Sequence, residues 1–256
     1  MSLDKSKIVT TKVVTSNHAS LESVEVLLHR AAERKGGMEV INTLLAYDYR
    51  LDESLSDDVS QLKDDRVLSA FTKKIFQSGF VWRVVENKWV NFEESFFDFN
   101  INKVLMMPEE MLERKAADPK IIRNYNKVKT IKTNAEMIFA EQQNGHSFSE
   151  FLCAWPKNDI IGLWAYLKKE GARLGGNTGP YALRALGIDT FLLTRDIEAY
   201  FRSHDLISGG LQSKRSLQTI QDCFNEWQQT SDLSLRQLSC LVAYGTGDNN
   251  VQFVQD

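Results

Sequence analysis

Apolar residues recur at helical spacing along almost the whole stretch from Ser20 to Tyr244, and no convincing series of alternating apolar and polar residues interrupts them. A chain patterned this way buries its apolar stripes by packing helix on helix, so the class it can adopt is all-α. Helices are expected over 20–35, 37–46, 64–78, 81–86, 91–98, 108–116, 126–143, 147–155, 160–170, 180–186, 196–204, 216–229 and 234–244. Ser147 with Glu150, and Ser234 with Gln237, have the spacing of a capping box, in which each side chain satisfies a backbone donor of the other residue. Gly145 closes the helix before Ser147, and Pro108 suits a first helical turn. Only 7–15 has strand composition.

A length of 256 residues suits one large domain or two small ones. The serine- and acid-rich segment 52–65 is the best boundary, which gives an N-terminal helical extension over 1–60, a compact helical domain over 61–208 and closing helices over 209–256 packed on that domain. With 43% hydrophobic and 25% charged residues, and no apolar run approaching a membrane span, the chain reads as soluble and cytoplasmic with no membrane partner. Cys153, Cys223 and Cys240 leave one thiol over in any disulfide scheme and have no metal-ligand spacing. The net charge of -3 argues against nonspecific coating of nucleic acid. Local charge differs: Lys120, Arg123, Lys127, Lys129 and Lys132 run without an acidic residue, and Lys168, Lys169, Arg173 and Arg184 face only Glu170. These form either one basic face or ordinary solvated helix surface.

Two segments carry candidate chemistry. In the first, Gly171 stops a helix, Leu174 precedes Gly175, Gly176, Asn177, Thr178 and Gly179, and Pro180 opens the next helix, which Gly187 ends. Small side chains there let a DNA phosphate reach main-chain N–H groups, with Asn177 to Gly179 offering donors, although the same composition also serves a plain helix-to-helix corner. In the second, a helix running from Phe71 ends at Ser78-Gly79 and hands over to Phe80, Val81 and Trp82. Glycine between aromatics at a helix end can bring backbone close to a duplex and push an apolar wedge between bases, and it can equally be core. Trp89, Phe92, Phe96, Phe97, Phe99, Trp155, Trp164 and Trp227 read as core.

In order along the chain, Gln77-Ser78-Gly79-Phe80-Val81-Trp82, then Ile121 through Ala135 with Lys127, Ile131 and Asn134 in register, then the hairpin, resemble the 3-methyladenine DNA glycosylase I family of the helix-hairpin-helix DNA glycosylases. The resemblance covers roughly residues 65–196. It implies a base-excision enzyme that flips a damaged, alkylated purine out of duplex DNA and hydrolyses its N-glycosidic bond, acting as a monomer without a cofactor. By that match Trp82 stacks on the extracted base, Lys74 and Gln77 line its pocket, Gly79 and Phe80 fill the gap left in the duplex, and Gly175 to Gly179 bind the backbone. The alternative is a module that kept the fold, lost the chemistry and recognises damaged or branched DNA.

The departures are specific. Lys74 stands at the position of the family's base-recognising glutamate, where a cation repels a positively charged purine. The family's zinc clasp has no counterpart in the arrangement of His18, His29, His146, His204 and the cysteines, so no metal is expected. The family's N-terminal tyrosine and tryptophan segment has only Tyr47 and Tyr49 in a comparable place, and Thr178 replaces the hairpin's second glycine. Asp196 follows the hairpin at the distance of the wider superfamily's catalytic aspartate, and it also suits a helix N-cap. Pro180 occupies the place of the lysine that backbone-cleaving members use, which implies a single-function hydrolase unless Lys74 supplies the amine.

Overall fold

The computed structural model describes residues 21–46 and 58–247, and every regular element among them is helical. In chain order these are α1 (Val24–Lys35), α2 (Met38–Ala46), α3 (Asp64–Gln77), α4 (Trp82–Asn87), α5 (Trp89–Ser95), α6 (Ile101–Leu105), α7 (Glu109–Ala117), α8 (Tyr125–Gln143), α9 (Phe148–Ala154), α10 (Ile160–Glu170), α11 (Thr178–Ala185), α12 (Arg195–Ser203), α13 (Lys214–Thr230) and α14 (Leu235–Thr246). The strand reading at 7–15, and Tyr47 and Tyr49, fall outside the described residues. Both capping boxes form, at Ser147–Glu150 and Ser234–Gln237. The helix α6 had no expectation because five residues are too few to show a period.

The chain divides into two compact units, one from residues before 49 together with those from 189 onward, the other from 49–188. In the first unit α1 pairs with α14 and α2, while α14 also meets α12 and α13, so these five helices share one core. Its centre is aromatic, with Phe191 stacked on Phe224 at 4.4 Å and Trp227 edge-on to Phe224 at 5.2 Å.

The unit over 49–188 is organised by α3, which packs on α8, α11, α9 and α4. Val67, Leu68, Phe71, Ile75 and Phe76 of α3 are all fully buried, and so are polar residues between them, because neighbours cover most of its circumference. Its first residue, Asp64, ties the unit together. The Asp64 carboxylate accepts from the N–H groups of Phe148 (2.9 Å) and Ser149 (3.3 Å) at the start of α9 and from Gln142 Nε2 (2.7 Å) at the end of α8. The aromatic stripe after α4 is core at Phe92, Phe96 and Phe99, but not throughout: Phe97 is 39% exposed beneath the ammonium groups of Lys103 and Lys115. Phe97, Asp98 and Phe99 adopt φ of 57°, 53° and 59°, a left-handed turn that swings Phe97 out of the helical stripe.

Candidate active site

The site begins where α3 stops. Ser78 turns extended (φ -66°, ψ 107°) and Gly79 takes φ 82°, a conformation that glycine adopts without the clash of a side chain. The carbonyls freed at this end would be buried without partners, and Lys127 of α8 meets them. Its ammonium donates to Ile75 O (2.7 Å), Phe76 O (3.2 Å) and Ser78 O, placing a cation on the negative end of the helix. Burial and the guanidinium of Arg173 push that ammonium below the ordinary lysine range. The same ammonium lies 4.6 Å from the ring centre of Phe80. Lys127 is therefore a structural strut and not part of a basic face, and Lys132 is likewise engaged, donating to Met107 O at 2.9 Å. Lys120, Arg123 and Lys129 are exposed.

Beyond Gly79 the chain presents apolar side chains to solvent: Phe80, Val81 (68% exposed), Trp82 (49%) and Val84. Trp82 opens α4, and the ammonium of Lys74 sits 4.6 Å over its ring. Lys74 is only 5% exposed, and among the described residues its ammonium makes no hydrogen bond. One turn on, Gln77 is also buried; its Nε2 donates to Glu86 Oε1 at 2.7 Å, while its Oε1 has no hydrogen-bond partner. Glu86 lies four residues after Trp82 on the same face of α4 and takes Lys73 Nζ on its other oxygen at 2.8 Å. Lys74, Gln77, Trp82 and Glu86 thus form one cluster.

Burial pushes the Lys74 ammonium down to about 8, Glu86 opposing the shift and Lys73 adding to it. The unfolded chain holds this proton up to about 10.5, so stability rises with pH between 8 and 10.5 and the full penalty is present below that window. Lys74→Met is expected to melt higher than wild type near pH 7, with the gap closing toward about pH 10. Thermal melts at the two pH values check this, and an unchanged gap contradicts it.

The hairpin adjoins this cluster through α11. Gly171 closes α10 by donating to Leu167 O (3.1 Å), and Asn134 of α8 clasps the corner: Asn134 Oδ1 accepts from Ala172 N (2.7 Å) and its Nδ2 donates to Ala172 O (3.3 Å). Gly176 takes φ 61° at an exposed turn, and the chain enters α11 at Thr178, with Asn177 as its cap. Two expectations change here. Pro180 is the third residue of α11 and not the first, and the N–H of Gly179 is already donated to Leu174 O at 3.1 Å. Gly179 is glycine because a Cβ there would run into that same carbonyl oxygen. Gly175 lies over the Lys168 stem, and Lys168, Lys169 and Arg173 around the turn are exposed. On the inner side Tyr181 meets Trp82 edge to face at 6.5 Å, so hairpin and aromatic cluster are neighbours.

Asp196 belongs to the other unit. It is the second residue of α12, whose N-cap is Thr194, the Thr194 hydroxyl accepting from Ile197 N at 3.3 Å. The helix is capped without Asp196, so capping does not explain this carboxylate. Its oxygens rest against the backbone of Gly247, where any Cβ would strike them. Tyr181 reads in the sequence only as part of the apolar side of its helix, and Glu86 was not singled out, its spacing of four from Trp82 being the available signal.

Comparison with known proteins bears out the resemblance. Residues 58–174 match the methyladenine glycosylase family, a span that contains Lys74, Gln77 and Trp82 and ends before Gly175. DNA-3-methyladenine glycosylase 1 of Escherichia coli (strain K12) is 37% identical over 76 residues, 30% of this chain and 41% of that protein's length. The crystal structure of the 8-oxoguanine DNA glycosylase of Methanocaldococcus jannaschii superposes with a TM-score of 0.52 at 15% identity, covering 86% of this chain and 93% of that one, so the fold is that of a helical DNA glycosylase. The 3-methyladenine DNA glycosylase I of Staphylococcus aureus superposes with a TM-score of 0.45 at 23% identity, over 49% of this chain and 77% of that one.

Proposed function

We propose that this relative of the methyladenine glycosylases is a monofunctional DNA N-glycosylase that everts a damaged purine from duplex DNA and hydrolyses the bond between the base and C1′ of its sugar. The observation that carries this reading is the half-exposed indole of Trp82, set between the Lys74 ammonium and the hairpin's Tyr181 inside the family-matched span. Eversion costs a few kcal/mol of unstacking, and an aromatic face returns part of it. Phe80 and Val81, exposed beside Trp82, suit the vacated stack, and Gly79 lets backbone come close to the duplex. Gly175 to Thr178 at the turn, with Lys168, Lys169 and Arg173 around it, suit a phosphate of the same strand, with Gly179 serving the turn's shape. Asp196 is assigned to the chemistry: as the C1′–N bond breaks, its carboxylate stabilises the oxocarbenium-like sugar and orients the water that adds to C1′, while the base leaves with a proton. The enzyme acts as a cytoplasmic monomer and needs no cofactor in this scheme.

Duplexes carrying single alkylated or deaminated purines test it. Wild type is expected to release free base, and Asp196→Asn to release it on the order of a hundredfold more slowly. Undiminished release by Asp196→Asn removes Asp196 from the chemistry. Salt-dependent binding of damaged duplex with no release of any base replaces the enzyme with an inactive binding module.

A further inference from the structure

The side chains around Trp82 present an unusual set of hydrogen-bonding groups. Lys74 offers donors only, and among the described residues it has no acceptor of its own. Gln77, one turn further along α3, holds its Nε2 on Glu86 and leaves a buried Oε1 without a donor. Buried polar atoms are almost always paired, and one left over beside an exposed aromatic ring is an acceptor that a ligand's N–H could engage. One donor and one acceptor on the same helix face, beside an aromatic plate, complement a lactam: a carbonyl next to a ring N–H.

The charge points the same way. An indole face attracts cations, and Lys74 already places one 4.6 Å from its centre. A purine made cationic by N-alkylation has to compete with that ammonium for the ring and is repelled by it at close range in a partly desolvated setting. Glu86 offsets part of this charge, but the Lys73 ammonium on the same carboxylate adds a second cation beside it. A neutral lactam meets no such opposition, and its carbonyl gives the ammonium the acceptor it lacks.

We propose that the Trp82 site selects neutral purines bearing a lactam edge over cationic ones, with Lys74 Nζ donating to the base carbonyl and Gln77 Oε1 accepting from the adjacent N–H; deaminated and ring-oxidised purines belong to this class, and so does guanine, whose intact pairing and stacking make it more costly to evert than a damaged base. Cationic N-alkylated purines are thereby disfavoured. This inference rests on the glycosylase reading above and deepens it by naming the substrate class.

The test is single-turnover release from duplexes containing hypoxanthine, 8-oxoguanine, 3-methyladenine or 7-methylguanine, by wild type and by Lys74→Glu. Wild type is expected to release hypoxanthine or 8-oxoguanine tenfold or more faster than 3-methyladenine, which is cationic and has no lactam edge, and faster than 7-methylguanine, which has the edge but is cationic, and Lys74→Glu to reverse that order. Faster release of the cationic bases by wild type overturns the inference and leaves the glycosylase reading intact. An unchanged order in a Lys74→Glu protein that melts cooperatively also overturns it. Wild type alone supplies a second measurement that no folding defect can confuse: tryptophan fluorescence titration with free hypoxanthine and free 3-methyladenine, the latter neutral once free and lacking a lactam edge, where tighter binding of 3-methyladenine contradicts the assignment of the lactam contacts. No release of any base from any duplex removes the glycosylase reading itself.

Discussion

Lys127→Met is expected to lower stability by about 3 kcal/mol and to silence any activity at Trp82, although Lys127 lies outside the base-contacting cluster. Three carbonyls at the end of α3 lose the ammonium that satisfies them; hydrogen bonds to a charged group contribute about 1.5–3 kcal/mol apiece, and part of the sum is returned because the ammonium no longer has to be desolvated. The methionine keeps most of the apolar stem, so the loss reports the donor and not a cavity. With the end of α3 loosened, Gly79 no longer hands Phe80, Val81 and Trp82 over at a fixed angle. Urea denaturation at neutral pH measures the first effect. A variant as stable as wild type would mean that water satisfies those carbonyls as well as the lysine does.

Gly179→Ala is expected to be the most damaging single methyl added to the hairpin. The new Cβ meets the Leu174 carbonyl oxygen, which is also the acceptor of the residue's own N–H, so either the turn opens or α11 shifts. A cost of roughly 1–3 kcal/mol follows, and because α11 carries Tyr181 against Trp82, the aromatic cluster moves with it. Gly176→Ala provides the contrast. Nothing lies within 4 Å of a Cβ at Gly176, so only its φ of 61° opposes the change, at about 1 kcal/mol. Affinity for a fluorescent duplex is expected to fall at least tenfold in Gly179→Ala and far less in Gly176→Ala. Equal losses in the two variants would show that the turn's internal packing is not what shapes its phosphate-binding surface.

The helical class, most of the helix positions and both capping boxes were legible because each depends on local spacing: a period of 3.6, or two side chains three residues apart. The start of α11 was misplaced by two residues because Pro180 is acceptable anywhere in a first turn, and the choice of Thr178 depends on where Leu174 O sits. The division into units was illegible for a stronger reason. It follows from α1 lying along α14, a pairing of helices far apart in the sequence that no neighbouring residues encode. Within the candidate site, Trp82, Lys74 and Gln77 were found by their order in a motif, but their chemistry was not. Whether a lysine three residues before Gln77 reaches solvent or lies over an indole is decided by α4 folding back beside α3. Lys127 shows the same limit: in the sequence it is one of five basic residues in a row of candidates for phosphate, and only α3 ending against α8 turns it inward. Asp196 illustrates the reverse. Its residue type suited a cap, and the structure gives the cap to Thr194, two residues earlier.

The claim on which everything else depends is that the indole of Trp82 receives an everted base. Single-turnover release of free base from a lesion-bearing duplex, compared between wild type, Trp82→Phe and Trp82→Ala, tests it most directly. The expected result is release by wild type, a modest slowing in Trp82→Phe, where a smaller aromatic face remains, and a loss of about 1–3 kcal/mol of transition-state stabilisation, a slowing of roughly fivefold to 150-fold, in Trp82→Ala. Release by Trp82→Ala at the wild-type rate, from a protein that still melts cooperatively, would contradict the account.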